Sequence, residues 1–138
     1  MTAAIDWAAL AEAARLASER AYAPYSRFAV GAAVLSADGR VFTGCNVENV
    51  SFGLTICAER NAIFHAVAEG ARDLVAVAVF TPTRSPVTPC GACRQVIGEF
   101  GRDALVQCHA NGEDVLRFTA PELLPHGFGM RKRSEAQG

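Results

Sequence analysis

The run Leu74-Val75-Ala76-Val77-Ala78-Val79-Phe80 constrains the fold of this chain more than any other feature. No polar residue interrupts it, and valine recurs at every second position. Such a run reads as a strand buried on both faces, which requires cover on both sides of its sheet. The remaining sequence supplies neighbours and cover. Residues 28–35 read as a strand, Asp38-Gly39 as a hairpin turn and residues 41–45 as the returning strand. An Ala-rich segment from residue 6 to about 22, with Leu10, Ala13 and Leu16 among its apolar positions and Pro24 beyond it, is predicted to be an opening helix. A second helix is expected from about 57 to 69, stopped by Gly70, and a third over 91–100 after a Pro-rich loop at 81–89. Residues 104–108 and 115–118 read as two further strands, and 121–124 as one helical turn. A hairpin followed by alternating helices and strands implies an α/β fold, a single three-layer α/β/α domain on a mixed five-stranded sheet.

Size and charge narrow the classes. A length of 138 residues suits one domain over 1–138, with its core at about 8–128 and a C-terminal tail at 129–138. A hydrophobic fraction of 51% is enough to build a core and excludes a disordered chain. A net charge of −1 gives no overall basic field, so neither nucleic acid nor an anionic membrane is expected as the main partner. The dense positive run Arg131-Lys132-Arg133 reads as a solvated tail. No stretch approaches the ~20 apolar residues of a membrane helix. The N-terminus lacks a basic n-region, so a cytoplasmic location with reduced thiols is expected. Five cysteines are an odd number for a disulfide framework, which leaves them to metal or to packing.

Chemistry concentrates in Cys57-Ala58-Glu59 and Pro89-Cys90-Gly91-Ala92-Cys93, whose leading cysteines stand 33 residues apart. A C-x-x-C pair alone is a weak signal, shared by redox and structural zinc sites. Here Cys57 and Cys90 fall at predicted helix starts, where the helix dipole favours thiolate over thiol. Three thiolates suit zinc. No fourth ligand stands at a regular spacing, although His65, His109 and His126 remain candidates. An open fourth position would hold water, whose pKa zinc lowers to about 7, which points to catalysis. Cys45 and Cys108 sit in predicted strands and read as core packing. Glu59 lies about 200° around a regular helix from Cys57, so spacing alone leaves it between a proton carrier and an acidic first-turn residue. Arg60 and Arg94 follow the two motifs closely; each is either a guanidinium that offsets thiolate charge or a surface arginine.

With these motifs in view, the chain resembles the cytidine deaminases, specifically their short homotetrameric form with an all-cysteine zinc site. The likeness runs from about residue 8 to 128. It rests on Ala23-Pro24-Tyr25-Ser26-Arg27-Phe28-Ala29-Val30-Gly31-Ala32-Ala33, on Gly44-Cys45-Asn46-Val47-Glu48-Asn49, on Pro89-Cys90-Gly91-Ala92-Cys93-Arg94-Gln95-Val96, and on the segment from Leu123-Leu124-Pro125 to Phe128. The general signature of zinc deaminases, a ligand-x-Glu followed by Pro-Cys-x-x-Cys, is met in full. The resemblance implies one Zn²⁺ per subunit on Cys57, Cys90 and Cys93, with Glu59 as the proton shuttle. It also implies Phe28 against the pyrimidine, Asn46 and Glu48 on the ribose hydroxyls, and the backbone of Ala58 on the base. Arg60 and Gln95 would support the metal cysteines from behind. Phe128 would reach the base from a neighbouring subunit, so that active sites are shared within a homotetramer. At Phe52 the family often carries a tyrosine, and that hydroxyl is absent here.

The implied reaction is hydrolytic deamination of cytidine and 2′-deoxycytidine to uridine and 2′-deoxyuridine with release of ammonia, a step of pyrimidine salvage. The alternatives are a deaminase of another cytosine nucleoside such as blasticidin S, a nucleic-acid-editing deaminase, a structural zinc module, and a thiol–disulfide oxidoreductase using Cys90 and Cys93. The Asn46-Val47-Glu48-Asn49 segment, suited to a free ribose, speaks against the first. The missing basic surface speaks against the second.

Overall fold

The computed structural model describes residues 4–129. Its elements run α1 (Trp7–Ser18), β1 (Gly31–Ser36), β2 (Val41–Cys45), a 3₁₀ turn (Phe52–Leu54), α2 (Ala58–Ala68), β3 (Leu74–Phe80), α3 (Gly91–Phe100), β4 (Leu105–His109), β5 (Leu116–Thr119) and α4 (Ala120–Leu123). The strands form one mixed sheet in the order β2-β1-β3-β4-β5. Only the β3–β4 pair is parallel. The expected α/β fold and five-stranded mixed sheet are therefore what forms.

β3 sits at the centre, and alternate residues serve opposite faces. Val77 and Val79 join Ile63 of α2, Ile97 of α3 and Leu123 of α4 in one buried cluster. Ala76, Ala78 and Phe80 join Leu10 and Ala14 of α1 in the other. Three helices thus cover one face and a single helix the other. Two glycines let the layers approach. A Cβ on Gly31 would lie 1.9 Å from the Ala14 carbonyl oxygen of α1. One on Gly44 would lie 2.3 Å from the Ala62 nitrogen and 2.8 Å from the Ala58 carbonyl oxygen of α2.

Boundary differences have local causes. α1 stops at Ser18, short of residue 22, and i→i+3 bonds from Glu19, Arg20 and Ala21 tighten its exit. Tyr22 then pairs with the loop after β2, donating to the Asn46 carbonyl and accepting from the Glu48 amide. Residues 28–30, expected in β1, lie outside it because the Asn46 side chain takes their backbone groups. α4 starts one residue earlier than expected, behind a capping box of Thr119 and Glu122 that went unread in the sequence. β4 and β5 each begin and end one residue later than expected, and the 3₁₀ turn was not foreseen. The Arg131-Lys132-Arg133 tail lies outside the described residues. No helix among the described residues is long and apolar enough to cross a membrane.

Candidate active site

Strand register brings the site together. Gly31 at the start of β1 lies opposite both Cys45 at the end of β2 and Phe80 at the end of β3. The segment before β1, Asn46 after β2 and Thr81 after β3 therefore leave the sheet at one edge. The N-termini of α2 and α3 open onto the same place, and a cavity of about 310 Å³ lies between them. That volume is in the range of small-molecule sites.

Cys57 and Cys90 are the N-cap residues of α2 and α3, both with extended backbone, and Cys93 lies in the first turn of α3. Neither N-cap sulfur accepts a capping hydrogen bond. The three sulfurs lie within 4.8 Å of one another. Cys57 Sγ and Cys90 Sγ are 3.8 Å apart, and all the cysteines are free. Tetrahedral zinc with Zn–S bonds of about 2.3 Å requires sulfurs roughly 3.8 Å apart, so the donor set fits the ion in chemistry and in spacing. Among the described residues no histidine joins this group. His65 Nδ1 meets the Thr43 carbonyl at 3.1 Å, and His109 Nε2 meets Gln107 at 3.0 Å.

The electrostatics favour thiolate at Cys57. A hydrogen bond from the Cys93 thiol and another from the Arg60 guanidinium bring the Cys57 pKa down to about 5. Arg60 Nη2 stands 3.3 Å from Cys57 Sγ. Cys93, buried beside that first negative charge, keeps its own proton more tightly. Arg60 is thus the guanidinium that faces sulfur. Arg94 is not: its three donors go to the Pro89 carbonyl, the Leu123 carbonyl and Thr88 Oγ1.

Glu59 is 5% exposed and lines the same cavity as Cys57 and Cys90. The 200° rotation expected from sequence does not apply, because Cys57 precedes the helix instead of belonging to its first turn. Burial outweighs the carboxylate's bond to its own backbone N–H and lifts the Glu59 pKa to about 7. A carboxyl poised there can both take and give a proton near neutral pH.

Phe28, Asn46, Glu48 and Ala58 also line the cavity. Asn46 is already engaged: Oδ1 accepts from the Val30 amide at 2.9 Å, and Nδ2 donates to the Phe28 carbonyl at 2.8 Å. Glu48 Oε1 accepts from the amides of Tyr25 and Ser26, and Oε2 accepts from Ser26 Oγ. Those bonds, the hydroxyl's first, hold its pKa below the usual glutamate value. Two further residues lie outside this cavity, one of them, Phe128, expected in a neighbouring subunit's site. Phe128 is 77% exposed and does not line the cavity, and the Gln95 amide donates to the Phe128 carbonyl, at 2.9 Å, instead of supporting a cysteine. Phe52 is likewise exposed, with its ring against Tyr25 and away from the cavity. Cys108 is fully buried and Cys45 half-buried, and burial raises both thiol pKa values.

Sequence reading missed Ser26, Thr81 and Thr88 in the cavity wall. The signal for Ser26 was present: a short hydroxyl residue beside a tight turn, which the left-handed Arg27 (φ 56°) completes. Thr81 follows the carboxyl end of β3, where open α/β sheets place ligands.

Two helix starts that aim cysteine sulfurs at one point, beside a buried carboxyl near neutrality, define a metal-assisted hydrolytic site in an α/β fold. Residues 6–109 match the family described as the cytidine and deoxycytidylate deaminase zinc-binding region, and the chain belongs to that family. A cytidine deaminase of Halalkalibacterium halodurans is 54% identical over 113 residues, which cover 81% of this chain and 86% of that one. One of Mycobacterium tuberculosis is 47% identical over 126 residues, covering 91% and 92%. The crystal structure of a cytidine deaminase from Burkholderia pseudomallei superposes with a TM-score of 0.86 at 50% identity, covering 90% of this chain and 100% of that one.

Proposed function

We propose that the whole chain, as one domain, is a zinc-dependent cytidine deaminase that converts cytidine and 2′-deoxycytidine to their uracil counterparts and ammonia. The observation that carries this reading is the meeting of three sulfurs and the buried Glu59 in one cavity. Cys57, Cys90 and Cys93 hold the ion, and Arg60 offsets part of their charge. Zinc held there would supply the Lewis acidity that lowers the pKa of the water attacking C4 of the base. Glu59 takes a proton from the attacking water and passes it to N3. It then takes the second proton from the new C4 hydroxyl and delivers it to the departing amino group, which leaves as ammonia. Ala58 presents its backbone to the base, and Phe28 packs on the ring. Asn46 retains one N–H and one lone pair for the sugar, and Glu48 one acceptor position of its roughly four.

The working form in this reading is a cytoplasmic homotetramer that shares its sites, with no nucleic acid or membrane as partner. Free thiols support the compartment. Exposed Phe128 and the exposed apolar Val50, Phe52 and Leu54 support burial against a second copy. Metal analysis combined with an absorbance assay on cytidine and 2′-deoxycytidine tests the whole reading. One zinc per chain and turnover of both nucleosides are expected; zinc without turnover would leave a structural zinc module instead.

A further inference from the structure

Arg94 makes more side-chain hydrogen bonds to the frame of the site than any role so far assigned to it explains. From the first turns of α3 its guanidinium reaches three separate pieces of chain. Nε donates to the carbonyl of Pro89 at 2.7 Å, Nη2 to Thr88 Oγ1 at 2.9 Å, and Nη1 to the carbonyl of Leu123 at 3.0 Å. Pro89 is fully buried and directly precedes Cys90, while Thr88 and Cys90 both line the cavity. Leu123 closes α4, where the segment toward Phe128 departs. The neighbouring Gln95 holds the carbonyl of Phe128 itself at 2.9 Å.

Cys90 needs such a brace. It is exposed, lies outside the helix it caps, and its side chain makes no capping bond. Pro89 before it has no N–H, so at that residue the backbone can be held only through its carbonyl. A planar guanidinium with donors spread in a fixed fork suits three acceptors in different directions, and a single ammonium does not.

We infer that Arg94 is a positioning residue: it fixes the Thr88–Pro89 backbone that carries Cys90 to the metal, and ties that backbone to the C-terminal segment. This rests on the reading of Cys57, Cys90 and Cys93 as zinc ligands. Groups that brace metal ligands from behind typically change metal affinity 10- to 100-fold when removed.

The test measures zinc release from the full-length holoprotein to a chromophoric chelator, together with Tm. Arg94→Met and Arg94→Lys are compared with Arg72→Met. Arg72 is a control of the same kind, since its Nη1 donates to the carbonyls of Val67 and Ala71 at the far end of α2. Arg94→Met should release zinc roughly 10- to 100-fold faster than wild type. Arg94→Lys, which keeps charge and fold but serves fewer acceptors, should fall between the two. Arg72→Met should lower Tm without speeding release. Wild-type release from both Arg94 variants, or equal acceleration in Arg72→Met, would overturn the assignment. A wild-type protein that holds no zinc would instead overturn the cysteine reading, and the assignment with it.

Discussion

Glu59 owes its proton affinity to burial, and that affinity is what the proposed chemistry uses. Glu59→Gln keeps the shape and removes the titration, so zinc content should be retained while kcat falls roughly 10²- to 10⁴-fold. Wild-type turnover in that variant would remove Glu59 from the mechanism. Glu48 illustrates the opposite shift. Its carboxylate is favoured by Ser26 Oγ and by two amides, so its contribution to the turn is present above the usual glutamate pKa and is lost as pH falls through the lowered one. Ser26→Ala should move the Glu48 titration back upward, as read by carboxyl NMR; an unmoved midpoint would leave the hydroxyl without effect. Cys57, Cys90 and Cys93 were legible as a cluster from their spacing and helix-start placement, whereas spacing left Glu59 open and the family resemblance gave it its role. The bonds of Asn46 and Glu48 to residues 25–30 were not, since they depend on which loops the sheet register brings together.

The strands illustrate where sequence patterning suffices. β3 and α3 have the bounds expected of them, because an uninterrupted apolar run and a Pro-rich loop leave little choice. The starts of β1 and α2 shifted where the Asn46 side chain takes the Phe28 and Val30 backbone groups and where Cys57 is an extended N-cap instead of the first helical residue. Gly44 shows what patterning hides: nothing in Val41–Cys45 announces that α2 passes within contact of the strand backbone. Gly44→Ala should push α2 outward, costing about 3 kcal/mol by overpacking and displacing Ala58 and Glu59 together. A paired loss of Tm and of kcat/KM is expected; loss of Tm alone would mean the helix start is held by other contacts.

At the scale of the molecule, zinc in the proposed reading adds a tie between α2 and α3, which also pack directly on each other. Stripping it with a chelator should lower Tm, by an amount corresponding to about 4 kcal/mol where zinc had stood a thousandfold above its Kd. The shared-site reading makes a separate claim. Phe128→Ala should reduce kcat/KM roughly thirtyfold, the size of a 2 kcal/mol interface anchor, without changing zinc content. Oligomeric state and composite sites were not legible from strand patterns or spacing, because both depend on surfaces a single chain leaves open.

The two N-cap cysteines carry one more consequence. Ser, Thr, Asp or Asn at such positions would satisfy amides of the first helical turn, an effect worth about 1 kcal/mol per helix. Cys57 and Cys90 forgo that bond, so both helix starts are held from outside themselves. Amide exchange at residues 59–60 and 92–93 should therefore slow on metal loading and quicken on its loss. Solvent deuterium would then report how full the site is, with no nucleoside present.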